Sequence, residues 1–278
     1  MVPYYLARVA MPTGVDVVDT MIWFPTPNPA ASKADYLFRD QVALPDGADT
    51  VDYTLEQMDR FGITQAVVDV GMDPVAPDAV ARCPQRFIPC ATVDPNRGME
   101  TVRAIARLHR DVGLRAVSLA PAMLVPPVPI DDKRMYPVYA KCCELGLPVF
   151  TTVGVPGPRV PMAPQRVDLL DEVCWFFPEL TIVMRHGGEP WDELAVKLMT
   201  KWPNLYYSTS AYAPRKYPQS IVEFANGRGA DKVLFAGYYA AGLTWDRIFS
   251  ELPDVPFKSE VWPKFLGDNA RKVLGGTA

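Results

Sequence analysis

The chain has few side chains that can exchange a proton near neutral pH. It contains two histidines, His109 and His186, and histidine is the residue whose unperturbed pKa lies in this range. His186 follows the apolar run of "LTIVMRHGGEPW", which is typical of a buried strand. Gly187 and Gly188 come next and permit positive φ or close backbone approach. We therefore predict that His186 is a general acid or base, with a structural histidine of the core as the alternative.

Other strand ends carry side chains that could assist His186 or bind a substrate. Asp19 ends the first apolar run, and a carboxylate can orient a catalytic imidazole. We predict Asp19 as the second catalytic residue; the alternative is a carboxylate held by backbone amides. The predicted substrate-binding residues, each at or next to a strand end, are Met21, Trp23, Ser118, Thr152, Arg185, Ser208, Tyr238 and Tyr239.

Some of these assignments compete with simpler roles. Strict alternation along a strand would turn Arg185 away from His186 and towards the helices, where a salt bridge is the simplest role. Ser208 or Ser210 could act as a nucleophile beside His186, but the chain lacks the G-x-S-x-G motif. Tyr238 could hydrogen-bond a developing oxyanion or only fill space.

Eight apolar, β-branched runs alternate with helical patterns, and this order sets where the candidate residues lie. The runs cover residues 15–19, 64–70, 86–93, 114–120, 147–153, 180–186, 204–210 and 232–238. Such alternation predicts parallel strands joined by right-handed crossovers, and eight repeats favour a closed barrel over an open sheet. We predict an α/β fold, a (β/α)8 barrel that forms a single domain over residues 1–278. In such barrels the catalytic groups lie at the carboxyl ends of the strands.

The donor types at these strand ends do not predict a metal site. Zinc and similar cations need three or four His, Asp, Glu or Cys ligands. His109 lies in the last turn of a predicted helix, at the opposite end of the barrel from the candidate site. Neither a G-x-G-x-x-G motif nor a P-loop is present for a nucleotide. We predict no metal and no other cofactor.

Five segments of the chain carry a resemblance to a known family. They are "VVDTMIWFP", "YPVYAKCCELGLPVFTTVG", "FPELTIVMRHGGEPW", "VLFAGYYA" and "GDNARKVLG". Together they resemble the amidohydrolase-related family, which comprises metal-dependent TIM-barrel hydrolases and decarboxylases. The resemblance implies that Met21 and Trp23 replace the two histidines of the family's Asp-x-His-x-His motif. It also implies that Thr152 replaces a third histidine and Tyr238 a metal-binding aspartate, so that His186 alone remains.

From the residues and this resemblance we predict a metal-independent hydrolase of a small-molecule lactone, ester or amide, with His186 as general acid/base. One alternative is a pseudoenzyme that binds a ligand or serves as a partner subunit, with Met21, Trp23 and Tyr238 filling the site. A weaker alternative is decarboxylation, the chemistry that suffers most from loss of an electrophilic metal. An open pocket containing His186 would favour the enzyme, and a closed apolar mouth the pseudoenzyme.

Composition limits the partners. The net charge is −4, and no run of Lys or Arg marks a surface for nucleic acid or anionic lipid. No segment is long and apolar enough for a membrane span, and no secretory signal is evident. Five cysteines without CxxC spacing are typical of reduced thiols inside cells. We predict a cytoplasmic protein with a small-molecule substrate; a homo-oligomer is left open.

Overall fold

Eight parallel strands form the centre of the computed structural model, which describes residues 14–27, 34, 36–38 and 42–275. In chain order they are β1 (Val17–Asp19), β2 (Ile63–Asp69), β3 (Phe87–Thr92), β4 (Ala116–Leu119), β5 (Val149–Thr152), β6 (Ile182–Arg185), β7 (Leu205–Ser208) and β8 (Val233–Leu234). Each strand pairs with the next one along the chain. This is the order that the alternating apolar runs predict.

Helices connect the strands and form the outer layer. They are α1 (Thr50–Arg60), α2 (Ala76–Arg82), α3 (Met99–Val112), α4 (Tyr136–Leu145), α5 (Leu170–Phe176), α6 (Asp192–Lys201), α7 (Gln219–Ala225) and α8 (Trp245–Glu251). Near the C-terminus, α9 (Val261–Pro263) and α10 (Asn269–Val273) flank a π-helical stretch, Lys264–Asp268. The predicted (β/α)8 order is confirmed. In the described part of the chain, no helix has the length and apolar character needed to cross a membrane.

The helix ends follow ordinary capping chemistry. The carboxylate of Asp49 accepts hydrogen bonds from the N–H groups of Val51 (3.0 Å) and Asp52 (2.9 Å), which have no partner within the first turn of α1. At its other end a helix needs a residue that can leave the right-handed conformation. Gly113 ends α3 in this way, with a φ of 69°.

Backbone hydrogen bonds close the sheet into a barrel. Beyond the end of β1, the N–H of Thr20 donates to the carbonyl of Phe235 (3.1 Å). In the opposite direction, the N–H of Tyr238 donates to the carbonyl of Met21 (3.2 Å). The segments that follow β1 and β8 therefore pair with each other and complete the ring of strands.

Side chains of the strands alternate between the barrel interior and the layer facing the helices. The interior cluster contains Val18, Val67, Cys90, Ala116, Phe150, Val183, Tyr206 and Leu234. Ala270, Val273 and Leu274 from α10 and the residue after it join the same cluster. The carbonyl of Leu274 accepts a hydrogen bond from Nε of Arg115 (3.2 Å), which directly precedes β4. The C-terminal helix thus covers the amino ends of the strands.

Candidate active site

A cavity of about 1160 Å³ lies at the carboxyl ends of the strands, the end at which the sequence predicts the site. Most of its wall is apolar. The polar and ionisable residues of the wall are Tyr36, Asp69, Cys90, Thr92, Asp94, Ser118, Thr152, Gln165, Arg185, His186, Glu189, Tyr212 and Tyr238. A large, mostly apolar concavity with a few convergent polar groups is typical of a small-molecule site.

His186 and Arg185 both line the cavity, although they are adjacent in sequence. Arg185 ends β6 and has the same strand parity as Val183, which packs in the barrel interior. His186 has a φ of 66°, and this left-handed conformation interrupts the alternation of a regular strand. Gly187 and Gly188 continue the turn with φ values of 86° and 74°. The expectation that Arg185 faces the helices is therefore wrong.

The imidazole of His186 is held by Ser210 on the neighbouring strand segment. Oγ of Ser210 accepts a hydrogen bond from the backbone N–H of His186 (3.2 Å) and lies 3.1 Å from Nδ1 of its ring. Because Ser210 is fully buried, we assign the one hydroxyl proton to the bond with Nδ1. This assignment leaves the proton of the neutral ring on Nε2. The same buried position shows that Ser210 is not an accessible nucleophile.

The surroundings of His186 keep its ring neutral. Burial lowers the pKa of this imidazole to about 4, and the positive charge of Arg185 acts in the same direction. At pH 7 the residue is therefore an uncharged hydrogen-bond donor through Nε2, and protonating it would place two positive charges side by side. An N–H donor of this kind can polarise a carbonyl group.

The guanidinium of Arg185 lies at the floor of the cavity and is almost entirely buried, with 3% of the residue exposed. Nη1 donates to Oγ of Ser118 (3.2 Å), and Nη2 donates to the carbonyl of Thr20 (2.9 Å). The central carbon of the guanidinium lies 4.4 Å from the centre of the Phe150 ring. Arg185 is thus anchored by neutral groups of the barrel interior and not by a salt bridge to a helix.

Asp19 lies outside the described wall of the cavity and is fully buried. Oδ1 accepts hydrogen bonds from the N–H groups of Met21 (3.1 Å) and Gly237 (2.9 Å), and Oδ2 accepts one from Nε1 of Trp245 (2.8 Å). Burial raises the pKa of this carboxyl to about 6, against the effect of these three hydrogen bonds. Among the described residues, no hydrogen bond joins Asp19 to His186. These contacts match the alternative of a carboxylate held by backbone amides, and the predicted catalytic role of Asp19 stays a prediction.

Several predicted contact residues do line the cavity. They are Met21, Trp23, Ser118, Thr152 and Tyr238. The ring of Tyr238 meets the His186 ring edge-on, with 5.3 Å between the ring centres, and the hydroxyl of Thr152 donates to Oε1 of Gln165 (3.2 Å). Their position agrees with the sequence analysis, and their contact with a substrate stays a prediction.

Ser208 and Tyr239 lie outside the described wall of the cavity, so their predicted contact with a substrate stays a prediction that no contact in the structure supports. Ser208 is fully buried, and its Oγ lies 3.3 Å from Oγ1 of Thr20 in the barrel interior. Tyr239 stacks on Trp245, with 3.7 Å between ring centres and 6° between ring planes. Tyr238 has a φ of 54°, so the chain turns there and the next side chain enters the layer that faces the helices.

Sequence reasoning missed several ionisable side chains of the wall, among them Asp69 at the end of β2, Cys90 within β3 and Asp94 two residues after β3. Oδ1 of Asp69 accepts hydrogen bonds from three backbone N–H groups at 2.9, 3.1 and 3.1 Å, and Oδ2 accepts one from the hydroxyl of Thr92. Cys90 lies beside Arg185, and burial raises the pKa of its thiol to about 12. The sequence signal was their place in or directly after the second and third apolar runs, towards the strand ends where a barrel presents its functional groups.

The residues present do not fit the metal that the resemblance implies. The described part of the chain contains no group of three or more His, Cys, Asp or Glu that could hold a metal ion. On the cavity wall, His186 has Nδ1 engaged, Cys90 is a protonated thiol and Asp69 already accepts four hydrogen bonds. A zinc-like cation needs several deprotonated ligands that converge on one point.

We expect His186 and Asp19 to make opposite contributions to the pH dependence of stability. The folded pKa of His186 is about 4, against 6.5 for an ordinary imidazole. The unfolded chain therefore binds more protons between these values, and stability rises with pH there by roughly 3 kcal/mol. The folded pKa of Asp19 is about 6, against 3.8 for an ordinary carboxyl. Over nearly the same window this group lowers stability with rising pH, again by roughly 3 kcal/mol.

Urea unfolding across this pH window measures the two contributions. Relative to the wild type, His186→Asn should shift the slope of unfolding free energy against pH downwards, because the rising contribution is lost. Asp19→Asn should shift the slope upwards, even though its amide places a donor opposite Trp245 and lowers stability overall. Parallel curves for all three proteins would contradict the assigned pKa shifts.

Fold and site together define the chain as a (β/α)8 barrel with a ligand cavity at the carboxyl ends of its strands. The chain belongs to the amidohydrolase family, because the model of that family, described as amidohydrolase, matches residues 19–276. A comparison with curated protein sequences finds no match.

Solved structures share the fold at low sequence identity. The uncharacterized TIM-barrel protein Bb4693 from Bordetella bronchiseptica has 24% identity and a TM-score of 0.76, covering 94% of this chain and 99% of its own. A 5-carboxyvanillate decarboxylase from Novosphingobium aromaticivorans, complexed with manganese, has 15% identity and a TM-score of 0.63, covering 94% of this chain and 96% of its own. The 4-oxalomesaconate hydratase from Rhodopseudomonas palustris has 15% identity and a TM-score of 0.60, covering 93% and 95%. At these identities the likeness concerns the fold.

Proposed function

We propose that the protein is a metal-independent hydrolase of a small-molecule lactone, ester or amide. The observation that carries this proposal is the open cavity of about 1160 Å³, whose wall contains His186. A pseudoenzyme whose site is filled by side chains would lack a cavity of this volume. In this chain Trp23 and Tyr238 line the cavity without closing it. Convergent polar groups in a large concavity favour an enzyme.

In the proposed reaction, His186 is a hydrogen-bond donor to the substrate. Nε2–H of its neutral ring donates to the oxygen of the substrate carbonyl, where negative charge develops as water attacks. Ser210 orients the ring and therefore this donor, since the serine hydroxyl lies 3.1 Å from Nδ1. Because the pKa of His186 is low, its ring is neutral at pH 7. Of the general acid/base role predicted from the sequence, the proposal keeps the donor part, in which the ring N–H polarises the carbonyl.

Asp94 is the proposed acceptor for the proton of the attacking water, and it returns this proton to the departing alcohol oxygen or amine nitrogen when the bond from that atom to the carbonyl carbon breaks. Its carboxylate lines the cavity, and Oδ1 accepts a hydrogen bond from the N–H of Asn96 (2.9 Å). Oδ2 has no hydrogen bond to a described residue. Asp69 is less suited, since both of its oxygens already accept hydrogen bonds. The free oxygen of Asp94 can therefore accept the proton of a water molecule directly.

Decarboxylation is the second candidate, because a decarboxylase is among the proteins that share the fold. That reaction leaves electrons on a carbon atom and needs an electrophile to accept them. The wall of this cavity offers hydrogen-bond donors and one guanidinium but not the ligands of a metal. Hydrolysis places the developing charge on oxygen, which an N–H donor stabilises directly. The donor set therefore favours hydrolysis.

A chelation experiment tests the proposal. The purified chain would be assayed by proton release with dihydrocoumarin, acetylsalicylate and acetanilide, a lactone, an ester and an amide. We expect hydrolysis of at least one, the same rate after dialysis against a chelator, and below about a tenth of a mole of zinc, iron or manganese per chain. Activity that disappears on chelation and returns with metal would contradict it. Release of carbon dioxide from an added aryl carboxylate would favour the second candidate.

A further inference from the structure

Arg185 places a positive charge on the cavity floor that no acidic side chain neutralises directly. Its partners are the hydroxyl of Ser118, the carbonyl of Thr20 and the ring of Phe150, all of them uncharged. Nε of its guanidinium is buried and has no hydrogen-bond partner. Throughout the described ranges, no carboxylate forms a salt bridge with this residue. Asp69 of the wall acts on Arg185 electrostatically but forms no salt bridge with it, so the buried charge has no ion-pair partner.

A buried guanidinium that lacks an ion pair is a favourable site for an anionic ligand. Removing a charge from water costs far more free energy than burying a neutral polar group, and a close anion recovers much of that loss. The planar fork of a guanidinium matches the two oxygens of a carboxylate. Because Arg185 forms part of the cavity wall, a carboxylate that enters the cavity can reach it.

The remaining charges of the wall disfavour a second negative group on the ligand. Within the described wall, Arg185 is the one Lys or Arg, whereas Asp69, Asp94 and Glu189 carry carboxylates. Glu189 is exposed and accepts a hydrogen bond from the hydroxyl of Tyr212 (3.0 Å). A second carboxylate on the ligand would meet these like charges.

Apolar side chains cover the outer part of the wall. Met72, Met123 and Val155 belong to the wall and are 60%, 37% and 56% exposed. Exposed apolar residues that surround a concavity mark the surface that a ligand covers. An uncharged, apolar ligand body fits this surface.

We propose that Arg185 is the carboxylate-binding residue of this site and that the substrate is an organic monocarboxylate. Its carboxylate lies on the cavity floor against Arg185, and its apolar body extends towards Met72, Met123 and Val155. This assignment rests on the proposed function, because it treats the bound acid as a substrate. It makes Arg185 a determinant of substrate specificity. The carboxylate is a recognition group, separate from the carbonyl that His186 polarises.

Binding of inert acids tests the assignment without requiring turnover. Calorimetry at pH 7 would compare the affinities of three carboxylates with those of the corresponding neutral amides. The pairs are benzoate with benzamide, phenylacetate with phenylacetamide, and naphthoate with naphthamide. Terephthalate would serve as the diacid that matches benzoate. We expect at least one acid to bind about tenfold or more tightly than its amide, and terephthalate to bind more weakly than benzoate.

Three variants identify the group responsible. Arg185→Met removes the charge with little change in volume, and it should lower the affinity for the acid about tenfold or more while leaving the amide unchanged. Arg185→Lys keeps the charge without the fork and should fall between the two. Arg107→Met is the matched control, because Arg107 is an exposed residue of α3 outside the described wall of the cavity. It should bind the acid like the wild type.

The outcomes separate this assignment from the proposed function. Equal affinity for acids and amides, no saturable binding of any of the acids, or tighter binding of terephthalate than of benzoate would overturn it. Unchanged acid binding by folded Arg185→Met protein would also overturn it, and the Lys variant decides the point if the Met variant does not fold. Acid binding that depends on Arg185 in a protein that hydrolyses nothing would support the assignment and count against the proposed hydrolase.

Discussion

The His186→Asn variant is expected to keep its fold and to lose about a hundredfold or more of its activity. The imidazole is neutral in the folded protein, since its pKa is about 4, so a neutral amide replaces it without removing a charge. The shorter side chain of asparagine does not bring an N–H donor to the position of Nε2. Removal of one preorganised donor to an oxyanion costs a factor of about 10² to 10³ in rate.

Ser210→Ala is the companion variant, because it keeps the imidazole and removes the group that fixes it. Its hydroxyl lies 3.1 Å from Nδ1 of His186, and loss of such a hydrogen bond typically costs about 0.5–1.5 kcal/mol, a factor of about 2 to 10. We expect a lower kcat with little change in KM, and a smaller loss than for His186→Asn. Wild-type turnover by a His186→Asn protein that melts normally would show that His186 has no role in the reaction.

Regular secondary structure explains what the sequence could predict. The alternation of apolar runs and helical patterns determines the order of strands and helices, and strand ends in a barrel meet at one face. Ser118 and Thr152 stand at or next to the ends of strands that follow the regular pattern, and both line the cavity as expected. Period-two reasoning is sufficient where the backbone stays extended.

The errors lie where the backbone leaves that regular form. His186 and Tyr238 have φ values of 66° and 54°, so alternation fails at each of them and misplaces Arg185 and Tyr239. Tertiary contacts determine a left-handed conformation at a non-glycine residue, so the local sequence does not predict it. The apolar run predicted for 232–238 likewise yields a strand only over Val233–Leu234.

Contacts between residues far apart along the chain could also not be predicted from the sequence. Trp245 donates its indole N–H to Asp19 from 226 positions away along the chain. Composition shows that both residues exist but not that closure of the barrel brings them together. Without that indole, a carboxylate at a strand end is hard to distinguish from a catalytic one.

Gly154→Ala is expected to be among the most destabilising single substitutions in the described chain. Gly154 follows β5 with a φ of 84°, and an added Cβ would lie 2.7 Å from the carbonyl carbon of Gly188 and 2.8 Å from the carbonyl oxygen of Glu189. The left-handed conformation costs a non-glycine residue about 1–2 kcal/mol, and overpacking against backbone costs about 1–3 kcal/mol more. We expect the free energy of unfolding to fall by about 2–5 kcal/mol.

Gly113→Ala separates the close approach from the cost of the backbone conformation. Gly113 has a φ of 69°, but nothing lies within 4 Å of the position of its missing Cβ, so its loss is limited to about 1–2 kcal/mol. Urea unfolding and thermal melting of both variants measure the difference. Since Gly188 and Glu189 follow closely after His186, the Gly154 variant should also lose activity while still folded, whereas the Gly113 variant should not. Equal destabilisation by the two substitutions would mean that the loops after β5 and β6 are not in close contact, and that the backbone around His186 is held in some other way.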